Sequence, residues 1–338
     1  MSHHNLPPFL QALLNPTRYD HQAPEVQLVQ THISSVLLVG DYVYKFKKPV
    51  NFGFLDFSDL DKRRFYCEQE LLLNRRLCPD IYLDLVTVTR QSDGSFALNG
   101  KGEVVEYGVK MARMPEERMM VHLIQRGELD AVHIESLVGV LCDFYRRAED
   151  GPEIAAFGTA EAVAVNVLEN FEQTQGFIGQ GALTAEQFER ISQYARKVLS
   201  NEELFAQRIA GGHIRDCHGD LYSANICLAD KVYIFDCIEF NQRFRYCDVA
   251  SDVAFLAMDL DFHGLEPLSV SFIEQFTRQS NDGELLRMLN FYKCYRAYVR
   301  GKIGLFTAAD AAVDPSVRES CQAQAAQYFR LADRYALS

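Results

Sequence analysis

The sequence predicts an α+β protein of two lobes, the first built on an antiparallel sheet with one helix and the second mostly helical. Up to about residue 114, runs rich in β-branched and aromatic residues alternate with polar ones, which is typical of half-buried strands. Beyond Pro115, apolar residues recur mostly at helical spacing. The residue before a proline avoids helical backbone angles, so Met114 marks the boundary. We therefore expect one lobe over 1–114 and another over 115–338.

Composition limits the functions that this chain can have. Its 338 residues, 48% of them hydrophobic, can bury a sizeable core. A net charge of −12 argues against a nucleic-acid partner, which needs a concentrated basic surface. No run approaches the ~20 apolar residues of a membrane span, so no membrane partner is expected. The start of the chain lacks a basic signal region, and nine cysteines include no close C-x-x-C pair, which predicts reduced thiols and a cytoplasmic protein.

The first lobe is predicted strand by strand. A short amphipathic helix over 7–19 precedes "VQLVQTHISSVLLVGDYVYKFKKPV", whose breaks at "THISS" and "GD" indicate three antiparallel strands. The stretch "SDLDKRRFYCEQELLLNRRL" predicts a helix with Ser58 or Asp59 as its cap. Two more strands are predicted in "IYLDLVTVTR" and "EVVEYGVKMARM", with the turn "SDGS" between them.

A polar loop and a short hairpin, "DCHGDLYSANICLADKVYIFDC" at 216–237, interrupt the helical half. If "ICLA" and "VYIF" pair around a turn at Asp230-Lys231, Asn225 lies opposite Asp236, at a Cβ separation of about 4.5 to 5.5 Å. An amide oxygen and a carboxylate at that spacing can share one hard cation. Asp220 is near enough in sequence to accept a proton beside it. This sparse ligand set suits Mg²⁺ bound to a nucleotide better than a metal held by protein alone.

The pattern "HGDLYSAN" followed by "YIFD" resembles the catalytic and metal-binding loops of kinases, and most closely those of the aminoglycoside phosphotransferase (APH) family. The resemblance implies a bilobal protein-kinase-like fold. It also implies a catalytic-base role for Asp220, magnesium-ligand roles for Asn225 and Asp236, and a loop-supporting role for His218.

The neighbouring stretch "DCIEFNQRFRYCDVASDVAFLAMDLD" resembles a bacterial branch of that family that is often fused to a C-terminal P-loop ATPase domain. The present sequence contains no G-x-x-x-x-G-K-[ST] motif. A P-loop ATPase is therefore expected, if at all, as a separate partner.

A kinase-like fold places a lysine on the third strand and a glutamate on the next helix. We favour Lys45 because strand alternation puts the small apolar Val43 on the same face, toward the nucleotide base, and Lys47 stays the alternative. Glu68 and Glu70 compete for the helix position. The spacing in the phosphotransferase family favours Glu70, which would hold Lys45 toward the nucleotide phosphates.

The resemblance also implies where the rest of the nucleotide binds. The phosphate-covering loop would be "THISS", residues 31–35, which lacks glycine but offers Ser34 and Ser35 together with backbone amides. The strand "EYGVKMARMPEE" would be the hinge, with backbone groups from Met111 to Met114 contacting adenine.

The acceptor side is less specific. Lys293, Arg296 and Arg300 recur at i, i+3 and i+7, which indicates either a solvated helix face or a surface that recognises an anion. Asp248 and Asp252 both fit the aspartate that ties the catalytic loop to the helical lobe in the family. Three polar residues just past Asp236 lie where kinase-like enzymes often shape the acceptor site: Glu239, Asn241 and Arg243.

The sequence thus predicts an ATP- and magnesium-dependent phosphotransferase that acts on a hydroxyl of a small molecule. A nucleotide-binding regulatory module and a kinase acting on a protein hydroxyl are the alternatives. Neither the acceptor nor the choice between ATP and GTP is indicated by any residue, because many acceptors share this fold.

Overall fold

The computed structural model of the protein describes residues 6–338. The strands are β1 (Val26–Gln30), β2 (Ser34–Val39), β3 (Tyr42–Lys47), β4 (Tyr82–Arg90), β5 (Phe96–Leu98), β6 (Glu103–Ala112), β7 (Ile214–Asp216), β8 (Ile226–Leu228), β9 (Val232–Ile234) and β10 (Tyr246–Asp248). The helices are α1 (Pro8–Leu13), α2 (Leu60–Asn74), α3 (Met120–Gln125), α4 (Ala131–Arg147), α5 (Pro152–Ala155), α6 (Ala160–Thr174), α7 (Ala185–Leu199), α8 (Glu202–Ala210), α9 (Gln242–Arg245), α10 (Val249–Phe262), α11 (Glu266–Ser280), α12 (Leu285–Ala309) and α13 (Pro315–Leu337).

Packing divides the described chain into two compact units. The sheet unit contains residues 6–118 and 233–242, and the helical unit contains 119–232 and 243–338. The sequence pattern placed a boundary at Met114 and kept 233–242 with the helices. The segment 233–242 belongs to the sheet unit because its backbone is tied there, with the Cys78 thiol donating to the Ile234 carbonyl at 2.9 Å.

The sheet unit is built on a six-stranded antiparallel sheet in the order β1-β2-β3-β6-β4-β5. The three strands predicted at its start are confirmed. The short strand β5 was not predicted; along the chain it comes between β4 and β6, and in the sheet it is an edge strand next to β4. Because strand side chains alternate between faces, Tyr44 and Phe46 enter a core with α1, whereas Lys45 and Lys47 lie on the opposite face. Burial of each large apolar side chain in that core contributes roughly 1.5–3 kcal/mol.

Helix α2 follows the third strand, as predicted. Of the two candidate caps, Asp59 is the one used, since its carboxylate accepts from the Lys62 backbone N–H at 2.8 Å. The helix buries Cys67, Leu71 and Glu70 on one side. A glutamate at 1% exposure needs compensating charge.

The helical unit is organised around α10. Every residue of this helix from Val249 to Leu260 is buried, which is typical of a helix enclosed on all sides. Helices α11 and α12 pack against it, and α13 packs along α12. The short strands β7 and β10 pair antiparallel, with Tyr246 opposite Asp216.

Two features of the described chain bear on the predictions of reduced thiols and of no membrane span. None of its nine cysteines forms a disulfide. Over residues 6–338, the structure has no helix that combines the length and apolar character of a membrane span.

Arg208 lies in a buried ionic cluster of the helical unit, so we expect its replacement to destabilise that unit. The Arg208 guanidinium donates to both carboxylate oxygens of Asp248 at 2.7 and 2.8 Å and to Asp282 at 2.6 Å. We expect Arg208→Ala to lower the free energy of unfolding by about 3–5 kcal/mol, because two buried carboxylates lose their cation. Urea denaturation measures this loss.

The control for that variant is Arg146→Ala. Arg146 pairs with Asp143 at 3.1 Å on the exposed face of α4, and such pairs contribute about 0–1 kcal/mol. Equal losses in the two variants would contradict the interpretation of the Arg208 cluster.

Candidate active site

Lys45 lies at the centre of the candidate site in the sheet unit. It is placed on the middle strand β3, opposite Val36 of β2 and Val109 of β6. Its Nζ atom lies 2.8 Å from Glu70 Oε1 and 2.6 Å from Asp236 Oδ1. The structure therefore brings together three of the residues that the sequence singled out.

The second lysine of β3 has partners of its own. Lys47 Nζ lies 2.7 Å from Glu70 Oε2 and also contacts Glu239 Oε1. Glu68, the alternative to Glu70, instead forms an exposed pair with Arg64 at 2.9 Å. Glu70 is thus the glutamate of α2 that meets β3, and each of its oxygens faces one lysine.

Burial and charge act against each other in this cluster. Burial favours the neutral form of Glu70, but Lys45 and Lys47 outweigh it and lower the pKa of this carboxyl to about 2. Burial likewise favours neutral Lys45, yet Asp236 and Glu70 hold its pKa well above the ordinary value. At Glu239 burial prevails and raises the pKa, with Lys47 opposing it. Burial opposes the charge of Lys47 too, but Glu239 and Glu70 raise its pKa above the ordinary value. Both lysines are therefore charged at neutral pH.

Asp236 has an unusual backbone. Its φ of 60° lies in the left-handed region, which a non-glycine residue adopts at a cost of roughly 1–2 kcal/mol unless its surroundings hold it there. Its backbone N–H donates to the Tyr82 hydroxyl at 3.2 Å, and the next N–H, of Cys237, donates to Asn74 Oδ1 at 2.9 Å. The Asp236 side chain is 47% exposed, so a ligand can reach its carboxylate.

The loop that carries Asp220 is held from both sides within the helical unit. Asp252 accepts from the backbone N–H of His218 at 2.7 Å and of Gly219 at 3.0 Å. Arg296 donates to the Gly219 carbonyl at 2.9 Å. The His218 ring accepts from the Asp220 N–H at 3.3 Å, which gives this buried histidine the supporting contact expected of it.

Asn225 lies against Asp220. Its side-chain nitrogen donates to the backbone oxygen and to the Oδ2 atom of Asp220, both at 3.0 Å. This orientation directs the amide N–H groups to Asp220 and leaves Oδ1 as the atom for a cation. Nearby, the Ser223 N–H donates to Asp259 at 2.9 Å, which anchors the end of the loop.

The expected strand pairing of Asn225 with Asp236 is wrong. Asn225 closes a 3₁₀ turn, Ser223–Asn225, before β8 begins, and Asp236 follows the end of β9. The turn between the strands is closed by the Ala229 N–H on the Lys231 carbonyl at 3.1 Å. Left-handed and 3₁₀ backbone cannot extend a ladder, so strand register does not determine where these two side chains lie.

The two serines assigned to the phosphate loop begin β2 instead. The turn after β1 spans only 31–33, and Ser34 and Ser35 are 1% and 6% exposed. Ser34 lies opposite Lys47 in the sheet, and its buried hydroxyl has no hydrogen-bond partner. The exposed part of this turn is Thr31 and its neighbour, so the backbone there is more accessible to a ligand than the serine hydroxyls.

The predicted hinge lies at the end of β6, which is one of the inner strands of the sheet. Met111 pairs with Val43 on β3, and Met114 lies beyond the end of β6. The Arg113 N–H donates to the Asp41 carbonyl at 2.8 Å. The chain therefore leaves the sheet at Met114.

The structure distinguishes the two aspartates at the start of α10. Asp252 holds the loop that carries Asp220, whereas Asp248 caps α10 by accepting from the Ala250 N–H at 2.9 Å and pairs with Arg208. The two aspartates are four residues apart, about one helical turn, so their spacing in the sequence could not decide which of them holds the loop. The distinction depends on which element packs against each.

The basic stripe of α12 is not a solvated face. Lys293 and Arg296 are 8% and 6% exposed, and Lys293 pairs with Asp261 at 2.8 Å. Arg300 places its guanidinium 4.6 Å from the centre of the Tyr222 ring, which is a cation–π arrangement. Two of the three cations thus support the fold and its loop.

The polar residues past Asp236 also have structural partners. Asn241 donates to the Phe54 carbonyl at 2.9 Å, and Arg243 pairs with Glu169 at 2.6 Å. Glu239 is the residue whose role the sequence missed. Its place in the apolar stretch "CIEF" was the available signal, because a buried glutamate needs a cation.

Each unit offers an oxygen donor of the kind that magnesium prefers. In the part of the chain that the structure describes, no group of three or more His, Cys, Asp or Glu side chains is arranged to hold a metal alone. Asp236 presents one half-exposed carboxylate in the sheet unit, and Asn225 presents an amide oxygen in the helical unit. Magnesium takes one or two carboxylates and completes its shell with water and phosphate, so each of these donors, taken by itself, is of a kind that it binds.

Comparison with known sequences finds relatives that are longer than this chain. An uncharacterized protein of Mycobacterium tuberculosis and one of Mycobacterium bovis are each 32% identical over 282 residues, which is 83% of this chain. The match covers 55% of each relative, so the chain spans about half the length of the curated relatives it matches. No protein-family model matches the chain.

Comparison with solved structures identifies the fold. A choline/ethanolamine kinase family protein from Mesorhizobium loti matches over 97% of both chains, with a TM-score of 0.52 and 11% identity. An aminoglycoside phosphotransferase from Streptomyces rimosus matches 84% of this chain and 96% of its own, with a TM-score of 0.45 and 18% identity. The chain has a protein-kinase-like fold, with an antiparallel-sheet lobe and a helical lobe, which confirms the predicted fold class.

The anchoring of the Asp220 loop on Asp252 predicts a local effect of mutation. In Asp252→Asn, a single carbonyl oxygen replaces the two oxygens that accept from His218 and Gly219. We expect a loss of about 2 kcal/mol in the free energy of unfolding, because a charge-assisted hydrogen bond is lost. Amide hydrogen exchange at these two residues should accelerate. Asp314→Asn, at an exposed cap of α13, is the control and should leave both readouts near wild type.

The lowered pKa of Glu70 predicts a pH dependence. A carboxyl with a folded-state pKa of about 2 and a normal unfolded value stabilises the protein fully above pH 4.5, and that contribution fades as the pH falls toward 2. We expect the stability difference between wild type and Glu70→Gln to be constant from pH 7 to 5 and to shrink below 4.5. Denaturation at several pH values measures it, with Glu68→Gln as control. A stability difference between wild type and Glu70→Gln that does not change with pH would contradict the lowered pKa of Glu70.

Proposed function

From the premise of a protein-kinase-like fold, we propose that this chain is a phosphotransferase that moves the γ-phosphoryl group of ATP to a hydroxyl of a small-molecule acceptor. The observation that carries the proposal is the contact of Lys45 with both Glu70 and Asp236. A lysine on the third strand, a glutamate on the next helix and an aspartate after a late strand are the groups a kinase needs at the phosphates.

Lys45 acts on the nucleotide phosphates in this proposal. Glu70 holds the ammonium group extended from the sheet, so the lysine is positioned before the nucleotide arrives. An ammonium is a compact point charge, which suits the spread of negative charge on transferring phosphoryl oxygens. The exposed turn at 31–33, ahead of Ser34 and Ser35, would contribute backbone amides to the same phosphates.

Asp236 and Asn225 are the proposed magnesium ligands. Each offers one oxygen, from a half-exposed carboxylate and from an amide whose nitrogen is held by Asp220. The ion supplies charge neutralisation at the phosphates when it is bound. Backbone groups from Met111 to Met114 are proposed to contact the adenine edge, since the chain leaves the sheet there.

Asp220 is the proposed catalytic base. Its carboxylate accepts from Asn225, and its backbone is held through His218, whose N–H is anchored on Asp252. Such a loop keeps the carboxylate in one orientation, where it can orient an acceptor hydroxyl and take its proton. Positioning of this kind supplies most of the catalysis in phosphoryl transfer.

The acceptor is proposed as an alcohol. The neighbouring structures include proteins described as choline/ethanolamine and aminoglycoside kinases, and their low identity leaves the acceptor of this chain open. A cytoplasmic location, which would keep the nine thiols reduced, and a separate P-loop ATPase partner remain predictions of the sequence. The two alternatives, a regulatory nucleotide-binding module and a kinase acting on a protein hydroxyl, use the same residues and are separated by experiment.

The test combines binding and turnover. We expect Mg²⁺ and ATP together to raise the melting temperature of the wild type, by the equivalent of about 2.7 kcal/mol at a hundred times the Kd, and Asp236→Ala to lose this shift. Asp220→Asn should keep the shift but turn over an accepted alcohol at least about 100-fold more slowly. ATP consumption is measured against a panel of amino alcohols, sugars and aminoglycosides, with Glu68→Gln as control.

Each alternative has its own signature in that experiment. Nucleotide binding without consumption of ATP by any acceptor supports the regulatory module. Labelled phosphate retained on protein supports a protein acceptor. A wild type that binds no nucleotide, or an Asp220→Asn variant as active as wild type, would falsify the proposal.

A further inference from the structure

Lys47 and Glu239 form a buried ion pair that no step of the proposed reaction uses. The Lys47 side chain is 1% exposed, compared with 15% for Lys45, although both lie on the same face of β3. Lys47 also lies 4.9 Å from the centre of the Phe57 ring. It is therefore enclosed on all sides, whereas Lys45 has room to reach a ligand.

The pair connects the sheet to the segment that carries Asp236. Glu239 follows Asp236 by three residues, and it contacts a lysine in the middle of the sheet, on β3. Other ties of this segment include backbone hydrogen bonds to Tyr82 and Asn74 and the contact of Lys45 with the Asp236 carboxylate. The ion pair thus adds a charged tie on the downstream side of a residue whose backbone lies in the left-handed region.

Such a tie matters because Asp236 needs support from its surroundings. A left-handed non-glycine residue relaxes to an ordinary conformation unless the neighbouring chain is held on both sides. Upstream, the Cys78 thiol holds the Ile234 carbonyl. Downstream, Glu239 on Lys47 performs the same role, and a carboxylate at this depth keeps its place only while the cation is present.

Lys47 also affects what Lys45 can do. Glu70 gives one oxygen to each lysine. If Lys45 turned toward a phosphate and Glu70 had no other partner, a buried carboxylate would lose its counter-charge. With Lys47 in place the charge of Glu70 stays compensated, so Lys45 can move from Glu70 toward a phosphate at a lower cost in free energy.

We propose that Lys47, through Glu239, is a positioning residue that holds Asp236 in the orientation needed for a metal-bound nucleotide. The identity of the ligand rests on the proposed function, but the ion pair of Lys47 with Glu239 does not depend on that function. Lys47 touches neither nucleotide nor acceptor in this assignment.

The first test concerns the tie and needs no ligand. The substitution Glu239→Gln removes the negative charge that pairs with Lys47, while side-chain size and a hydrogen-bond acceptor are kept. We expect faster amide hydrogen exchange over 233–242, with β1 and β2 unchanged. Lys62→Met is the matched control, because Lys62 pairs with Asp56 at 2.7 Å on the surface of the same unit. Unchanged exchange over 233–242 in a folded variant overturns the proposal.

The second test concerns the consequence for binding. Calorimetry with a non-hydrolysable ATP analogue compares wild type and Glu239→Gln, with magnesium and with EDTA. We expect magnesium-dependent affinity to fall about tenfold, as for other groups that orient a metal ligand, and affinity in EDTA to stay within about twofold. A purely structural role would lower both equally or neither, and either result overturns the proposal.

Charge at position 47 provides the rescue experiment. Lys47→Met should reproduce the magnesium-specific loss, and Lys47→Arg should recover part of it because a cation remains. If Lys47→Met does not fold, Glu239→Gln alone decides the question. In the double variant Lys47→Met, Glu239→Gln the losses should not add, since the two residues act as one unit.

These outcomes are distinguishable from failure of the proposed function. A wild type that binds no nucleotide overturns the proposed function and, with it, the role of Lys47 toward a metal. A wild type that binds with magnesium, with variants that bind equally well, overturns the positioning role alone.

Discussion

The candidate chemistry of the sheet unit depends on one buried carboxylate, Glu70. At 1% exposure it is ionised only because Lys45 and Lys47 each face one of its oxygens. The same contacts join α2 to β3 and hold both ammonium groups on one face of the sheet. Replacing Glu70 by an apolar residue would remove the partner that the two lysines share and leave Lys45 paired with Asp236 and Lys47 paired with Glu239, so the orientation of the lysines and the stability of the unit would change together.

Both units use a buried charge to hold the backbone next to a residue of the candidate site. In the helical unit, Asp252 accepts from two consecutive backbone N–H groups ahead of Asp220. In the sheet unit, Lys47 holds Glu239 just after Asp236. Asp220 and Asp236 themselves are only partly buried. A rigid support beneath an accessible group is what a functional site requires.

Much of the fold follows from local pattern. Alternation predicted the first three strands and placed Lys45 on the face away from Tyr44 and Phe46, and capping chemistry limited the start of α2 to two residues. These features depend on side-chain period and on hydrogen bonds within a few residues, which are written in the sequence itself. The motif around Asp220 was recognisable for the same reason, because its members lie within one loop.

By itself the sequence determined the two-lobed α+β class, the strand order at the start of the chain and the short list of candidate residues. Only the tertiary structure decided that Asp252 and not Asp248 holds the loop, and that Lys47 pairs with Glu239, 192 residues away. It also replaced the expected strand pairing of Asn225 by a 3₁₀ turn. The physical reason is that periodicity tells which face a side chain occupies, whereas its partner across the fold depends on how distant elements pack.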